Sequence, residues 1–248
     1  MKAMILAAGL GTRLRPLTDD RPKALVEVAG RTMLEIAIER LRGFGIREVI
    51  VNAHHFAEQI TGYLKANENF GMRIEVSHEN LLLDTGGGLK KTAPFFLDDS
   101  SGGGEAFILH NVDVVSSIDL RRMLQFHADN RALATLAVQD REASRYLLFD
   151  EHLQLCGRRS KEVQQDEMAR DAASVKPLAF CGIHVISPRI FSLMTEMGVF
   201  SIITAYLRLA ADGETIVAFR ADQSYWRDLG RPAQVLQAER DFKTRVIG

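Results

Sequence analysis

An α/β fold with a mostly parallel sheet, Rossmann-like and flanked by helices, is predicted by three observations. Short apolar runs recur along the 248 residues. Stretches of helical period lie between them. Gly, Asn and Asp, the residues of turns, bound the runs.

The elements follow in order. "KAMILAA" reads as a buried first strand. In "TMLEIAIERLRGFG", Thr32 can cap a helix and Glu35 falls three residues later, as in a capping box. Leu34, Ile38 and Leu41 then share one face, and Gly43 and Gly45 end the helix. "EVIVNA" is a second strand, "HFAEQITGYLKAN" a helix and "MRIEVS" a third strand. "DDSSGGGE" is expected as a surface loop. "EAFILHN" and "ALATLAVQ" are strands with the helix "SIDLRRMLQFHADN" between them. Residues 157–176 are polar and weakly patterned, which fits an insertion, a lid or a solvated excursion. "LAFCGIHVIS" returns to strand. Ser187 and Pro188 are placed as N-cap and first residue of a helix over "SPRIFSLMTEM". "GRPAQVLQAERDFKTRV" closes as an amphipathic helix, so residues 1–248 are expected to form one domain.

Composition narrows the function. Lys plus Arg is 31 against 32 for Asp plus Glu, a net charge of −1 that argues against nucleic acid as the main partner. No apolar run approaches the roughly 18 residues of a membrane span. No signal-peptide pattern is evident, and the two cysteines, Cys156 and Cys181, form no CxxC. A cytoplasmic protein with two packing thiols is expected, as a monomer or small homo-oligomer.

In an open parallel sheet, ligands bind beyond the carboxyl ends of the strands. The loop there, "AAGLGTRLRP", is small and cationic. Ala8, Gly9 and Gly11 let a ligand approach the backbone, and Arg13, Arg15 and Lys23 add positive charge, a combination suited to polyphosphate. Leu14 stands where a dinucleotide fingerprint needs glycine, and no G-K-[ST] follows, so neither common nucleotide loop is present. Arg13 and Lys23 also fit surface ion pairs with Asp19, Asp20 or Glu27.

The longer stretch "AAGLGTRLRPLTDDRPKALVEVAG" closely resembles the sugar-1-phosphate nucleotidyltransferases, which make nucleotide sugars from a nucleoside triphosphate and a sugar 1-phosphate. Gly9, Gly11, Thr12, Arg13, Leu14, Pro16, Thr18, Pro22 and Lys23 match the family's run. "DTGGGL", "NVDV", "FCGIHVISP" and "WRDLG" continue the resemblance in the family's order. It implies the nucleotide-diphospho-sugar transferase type of fold. It also implies Mg²⁺ held by Asp113 and Asp228, Arg13 on the triphosphate and Lys23 near the attacking phosphate. Ala8, Gly9, Gly11, Thr12, Thr85, Gly86 and Gly87 would border the nucleotide, and Gly182 the sugar. Trp226 fits sugar stacking less well than core packing, and His54 and His55 fit helix entry or solvent.

The match departs in places. Val112 stands where relatives have Gly beside the metal Asp, and Arg231 where they often have Thr. The family's Glu-Lys pair before the sugar strand has no counterpart in Lys161-Glu162 or Lys176. The short chain and "DTGGG" are most similar to compact bacterial N-acetylmuramate-1-phosphate uridylyltransferases, implying UTP and an N-acetylated sugar 1-phosphate. Guanylyl transfer to mannose or heptose 1-phosphate and cytidylyl transfer to phosphocholine are alternatives. So is a non-catalytic nucleotide-sugar-binding regulator, kept open by Val112.

Overall fold

The structure, a computed structural model, describes residues 1–98, 104–162 and 165–244. The expected loop at "DDSSGGGE" falls largely on 99–103, outside the described residues.

Strand β1 (Lys2–Leu6) leads into the glycine-arginine loop and a small hairpin, β2 (Glu27–Val28) and β3 (Arg31–Thr32). Helix α1 (Met33–Gly43), β4 (Glu48–Ala53), α2 (Ala57–Ala66) and β5 (Arg73–His78) follow. Helices α3 (Asp84–Lys91) and α4 (Ala93–Leu97) come next, then β6 (Phe107–Asn111), β7 (Val114–Ser116), α5 (Leu120–Asp129) and β8 (Ala134–Gln139). An antiparallel group comprises β9 (Arg145–Phe149), β10 (Leu155–Ser160), β11 (Glu167–Met168) and the long β12 (Lys176–Ile186). The chain ends with α6 (Ile190–Leu193), α7 (Ile202–Ala211), β13 (Ile216–Arg220), β14 (Trp226–Asp228) and α8 (Pro232–Lys243).

The sheet is mixed. Its parallel part is β5-β4-β1-β6, with β13 parallel to β8. Strand β12 runs antiparallel to both β6 and β8 and joins the two halves. Alternation along each parallel strand divides the core between the two faces of the sheet. Ala3, Ile5, Val49, Val51 and Ile108 pack beneath α1 on one face, while Met4, Leu6, Ile50, Phe107 and Leu109 pack on the other with residues of α7. The Thr32 hydroxyl accepts from the Glu35 amide at 3.1 Å, and Leu34, Ile38 and Leu41 are fully buried, as the capping pattern predicts.

One expectation changes, and two stretches gain definition. Within the stretch 157–176, Gly157–Ser160 belong to β10, with Gly157 and Arg158 paired to Glu167–Met168 and the run paired to β9. The helix expected from Ser187 is one turn, Ile190–Leu193, with Arg189 at its N-cap and Ser187 Oγ accepting from the Arg189 amide at 3.4 Å. It stops early because Met194 is extended (ψ 103°), where Lys90 Nζ donates to the Met194 and Glu196 carbonyls. The "DTGGG" run opens helix α3, because close packing outweighs the weak helix propensity of glycine.

Candidate active site

The carboxyl ends of β1, β4 and β6 open on a cleft of about 580 Å³. Asn52 at the end of β4 holds its rim: its Oδ1 accepts from the Ala7 amide at 2.8 Å, and its Nδ2 donates to Glu79 at 2.7 Å. Glu79 in turn accepts from the Leu83 amide at 3.0 Å, tying the approach to α3 to the rim. The motifs of the sequence do not assign this network. An Asn ending a buried apolar strand was its signal.

The glycine-arginine loop is folded tightly on itself. Gly11 is left-handed (φ +66°), and a Cβ there would lie 2.9 Å from Thr18 Cγ2. Its carbonyl accepts from the Leu14 amide at 2.8 Å and from the Thr18 hydroxyl at 2.9 Å. Leu14 is fully buried and anchors the loop, so Arg13 is carried out over the cleft. Neither cation takes the surface partners open to it: Asp19 pairs with Arg15 and Asp20 with Arg21. Lys23 Nζ instead lies 2.9 Å from Asp113 Oδ2. Arg13 has no ion-pair partner among the described residues; its guanidinium lies over Gly230, where a Cβ would be 2.8 Å from Arg13 Nη2 and 2.7 Å from Asp228 Oδ1.

Asp113 and Asp228 come together through the β7–β14 ribbon. Asp228 pairs in register with Val114, and the Leu229 amide donates to the Asp113 carbonyl at 2.7 Å. Burial first, and then the charge of Asp113, push the Asp228 carboxyl above the usual range; the Gly230 amide, Arg13 and Lys23 pull the other way. Among the described residues no three His, Cys, Asp or Glu side chains form a metal cluster. Two mutually repelling carboxylates beside a polyphosphate-sized cleft still suit a divalent ion that takes its remaining ligands from substrate and water.

Ala8, Gly9, Arg13, Lys23, Thr85, Asp113 and Asp228 all line the cleft. Gly11 and Thr12 shape the loop without lining it. Gly86 and Gly87 turn inward: a Cβ on Gly86 would collide with the Phe200 ring and one on Gly87 with the Gly198 carbonyl. Their smallness serves packing of α3 against residues 198–202. Thr85 Oγ1 accepts from the Ile202 amide at 2.9 Å. Gly182 (φ +71°) is a bulge in β12, where a Cβ would lie 2.8 Å from Asn111 Nδ2. It lines an adjoining cavity of about 670 Å³ that shares Arg13, Asn111, Arg145 and Asp228 with the cleft.

Trp226 borders that second cavity with Arg141 stacked on its ring at 3.6 Å, and its Nε1 donates to the Cys181 carbonyl at 2.8 Å. Val112 is buried in the core at 1% exposure, so its side chain does not crowd the cleft. Arg231 lines the second cavity, whereas Lys161 and Lys176 pair with Glu142 and Asp140. His54 bonds the Glu79 carbonyl and His55 lies against Phe56. Arg145 and Asn52 were not singled out from the sequence.

A strand-end cleft lined by cations and two carboxylates suits nucleotidyl transfer, in which two polyanions must meet. The family model "Nucleotidyl transferase" matches residues 2–152, and the chain belongs to that family. It is 36% identical over 96% of its length to the N-acetylmuramate alpha-1-phosphate uridylyltransferase of Caulobacter vibrioides, covering 95% of that protein. It is 32% identical over 94% of its length to mannose-1-phosphate guanylyltransferase 1 of Arabidopsis thaliana, spanning 62% of that longer chain. The fold is similar to the crystal structure of HddC from Yersinia pseudotuberculosis complexed with GMP-PN (TM-score 0.76, 21% identity, 97% of this chain and 99% of that one). It is also similar to the inositol-1-phosphate CTP transferase from T. maritima (TM-score 0.75, 16% identity, 100% and 98% covered). No helix among the described residues is long and apolar enough to cross a membrane.

Proposed function

We propose that this chain joins a nucleoside triphosphate to a sugar 1-phosphate, giving a nucleotide sugar and pyrophosphate, with UTP and an N-acetylated sugar 1-phosphate such as N-acetylmuramate 1-phosphate as the pair. The observation that carries this is the convergence of Arg13, Lys23, Asp113 and Asp228, from separate segments of chain, on one cleft at the strand ends. The similarity to the Caulobacter uridylyltransferase over nearly the whole chain supports the choice of base and sugar. The chain acts as one catalytic unit, with β10 and Glu167 contributing a wall beside the cleft rather than a separate module.

In the reaction, an oxygen of the sugar phosphate attacks the α-phosphorus. The new P–O bond forms as the bond to the β-phosphate breaks, and pyrophosphate leaves with that electron pair. No covalent nucleophile is needed; the site must cancel charge and hold the groups in line. Arg13, with no ion-pair partner among the described residues, grips the departing β- and γ-phosphates. Lys23 stands between the attacking phosphate and Asp113. Magnesium, when bound, would be held by Asp113 and Asp228 and would supply neutralisation between the two polyanions. Ala8 and Gly9 leave the backbone open to the nucleotide, and Gly182 opens the sugar side. Val112, whose β-branch raised the reading of a non-catalytic binder, packs in the core away from the cleft.

Pyrophosphate release with Mg²⁺ tests this, across four nucleoside triphosphates, each with a panel of sugar 1-phosphates and phosphocholine. Release with one pair, lost in Asp113→Ala, fixes base and acceptor. Saturable nucleotide binding without release for any pair overturns the reading in favour of a binding protein.

A further inference from the structure

Beside the cleft lies a third cavity of about 490 Å³, walled by Tyr146, Leu147, Phe180 and Ile203 and edged by arginines of β9 and β10. Two of those arginines are already neutralised. Arg158 pairs with Glu167 at 2.7 Å, and Arg159 forms a two-point pair with Asp166 at 2.7 Å. Arg145 is not: its side chain has no hydrogen bond, ion pair or ring contact among the described residues. It also lines all three cavities, standing where the apolar one meets the nucleotide cleft and the Gly182 side.

Its placement is fixed by the sheet. Arg145 opens β9 opposite Ser160 of β10, and the Lys161 amide donates to the Ser144 carbonyl at 2.9 Å, pinning the strand start. Alternation puts Arg145 and Leu147 on the same face of β9, and both line the cavity together with Tyr146 at its edge. A cation held at the mouth of an apolar cavity, with no acid paired to it among the described residues, calls for a single negative charge on the ligand.

We infer that Arg145 reads an acidic substituent of the sugar: a carboxylate on a short ether arm, as in a muramate, whose apolar part lies against Tyr146, Phe180 and Ile203. This rests on the nucleotidyl-transfer reading above and goes further by assigning the sugar's charge to one residue. The phosphates belong to Arg13 and Lys23. Arg145 therefore determines which sugar is accepted and does not drive the transfer itself.

The test compares N-acetylmuramate 1-phosphate with N-acetylglucosamine 1-phosphate, which lacks the acidic arm, each with UTP, in wild type, Arg145→Gln and Arg145→Lys. A charged hydrogen bond of the usual strength predicts a loss of about 10- to 100-fold in kcat/KM for the muramate in Arg145→Gln. The neutral sugar should change less than about 3-fold, and Arg145→Lys should recover part of the preference by retaining the charge. Equal losses for both sugars would place Arg145 on the shared phosphate and overturn the inference. Turnover of both sugars by wild type without preference for the acid would overturn it while leaving nucleotidyl transfer intact. No pyrophosphate from wild type with any nucleotide and sugar phosphate would overturn both. Arg145 is exposed, so melting temperatures of the variants should match wild type, separating loss of recognition from loss of fold.

Discussion

Lys23 Nζ and Asp113 Oδ2 meet at 2.9 Å across 90 positions of sequence, with side-chain exposures of 15% and 8%. The pair locks the glycine-arginine loop to the turn after β6. Lysine there is both a phosphate cation and the partner that keeps a buried carboxylate from standing alone. Lys23→Met should therefore cost about 1–3 kcal/mol of stability and about 100-fold or more in kcat/KM. Adding Asp113→Asn should recover part of the stability, because the stranded charge is gone, but none of the activity. Thermal melts of the two single variants and the double variant measure the coupling. Additive losses would mean the pair contributes nothing to the fold.

Gly86 and Gly87 predict different outcomes for the same substitution. A Cβ on Gly86 meets the Phe200 ring, a side chain that can be cut back; a Cβ on Gly87 meets the Gly198 carbonyl, which cannot. Each Ala variant should lose about 1–3 kcal/mol by overpacking. Phe200→Ala should rescue Gly86→Ala and leave Gly87→Ala unrescued. Melting curves decide it, and a fully stable Gly87→Ala would place α3 farther from residues 198–202 than the structure has it.

Much of the parallel half was legible in the sequence because β1 and β4 are largely apolar runs and α1 carries its Thr32 cap. Arg13, Lys23, Asp113 and Asp228 were legible through the resemblance of the motifs that hold them to those of the nucleotidyltransferases. Other features depend on distant partners. Helix α7 buries Ile202, Ala205, Tyr206, Leu207, Leu209 and Ala210, so it shows no clean polar face. Strands β9 and β10 are polar where they line the cavities. The glycines of "DTGGG" look the same in sequence whether they face a base or a phenylalanine; only the position of Phe200 separates the two. Val112 shows the converse, since a residue suspect in the motif is an ordinary core side chain in the fold.

Three buried histidines set the acid limit of the fold. Burial pushes His110 and His127 down to about 4 and His184 to about 3, with Arg40 adding to the effect at His110 and His110 itself at His184. In the unfolded chain they titrate near 6.5, so on acidification the unfolded state takes up protons first. Stability should hold above pH 6.5 and fall below it toward pH 4, by on the order of 1 kcal/mol per group for the first pH unit. His127 bonds the Thr135 hydroxyl at 2.9 Å, a contact that Asn can replace. His127→Asn should be near wild type at pH 7.5 and lose less melting temperature between pH 6.5 and 4. An unchanged slope would mean that His127 is protonated in the fold.

Asp228 predicts a conflict between stability and function. Its carboxyl is pushed above the usual range by burial and by Asp113, so in the folded protein without metal its charge is held at a cost. The folded state then binds that proton more tightly than the unfolded one, and stability declines as pH rises through the ordinary carboxylate range. Asp228→Asn removes the charge and can keep the hydrogen bond from the Gly230 amide, which is 2.6 Å in the wild type. In metal-free buffer at pH 7 the variant should melt higher than wild type, and the gain should vanish as acid neutralises the wild-type carboxyl. Pyrophosphate release should be lost. Adding MgCl₂ should raise the melting temperature of wild type more than that of the variant, because the second carboxylate is what the cation answers. If the variant instead melts lower at pH 7 without metal, attraction from Arg13 and Lys23 outweighs the repulsion, and the two aspartates are held by the protein's own cations.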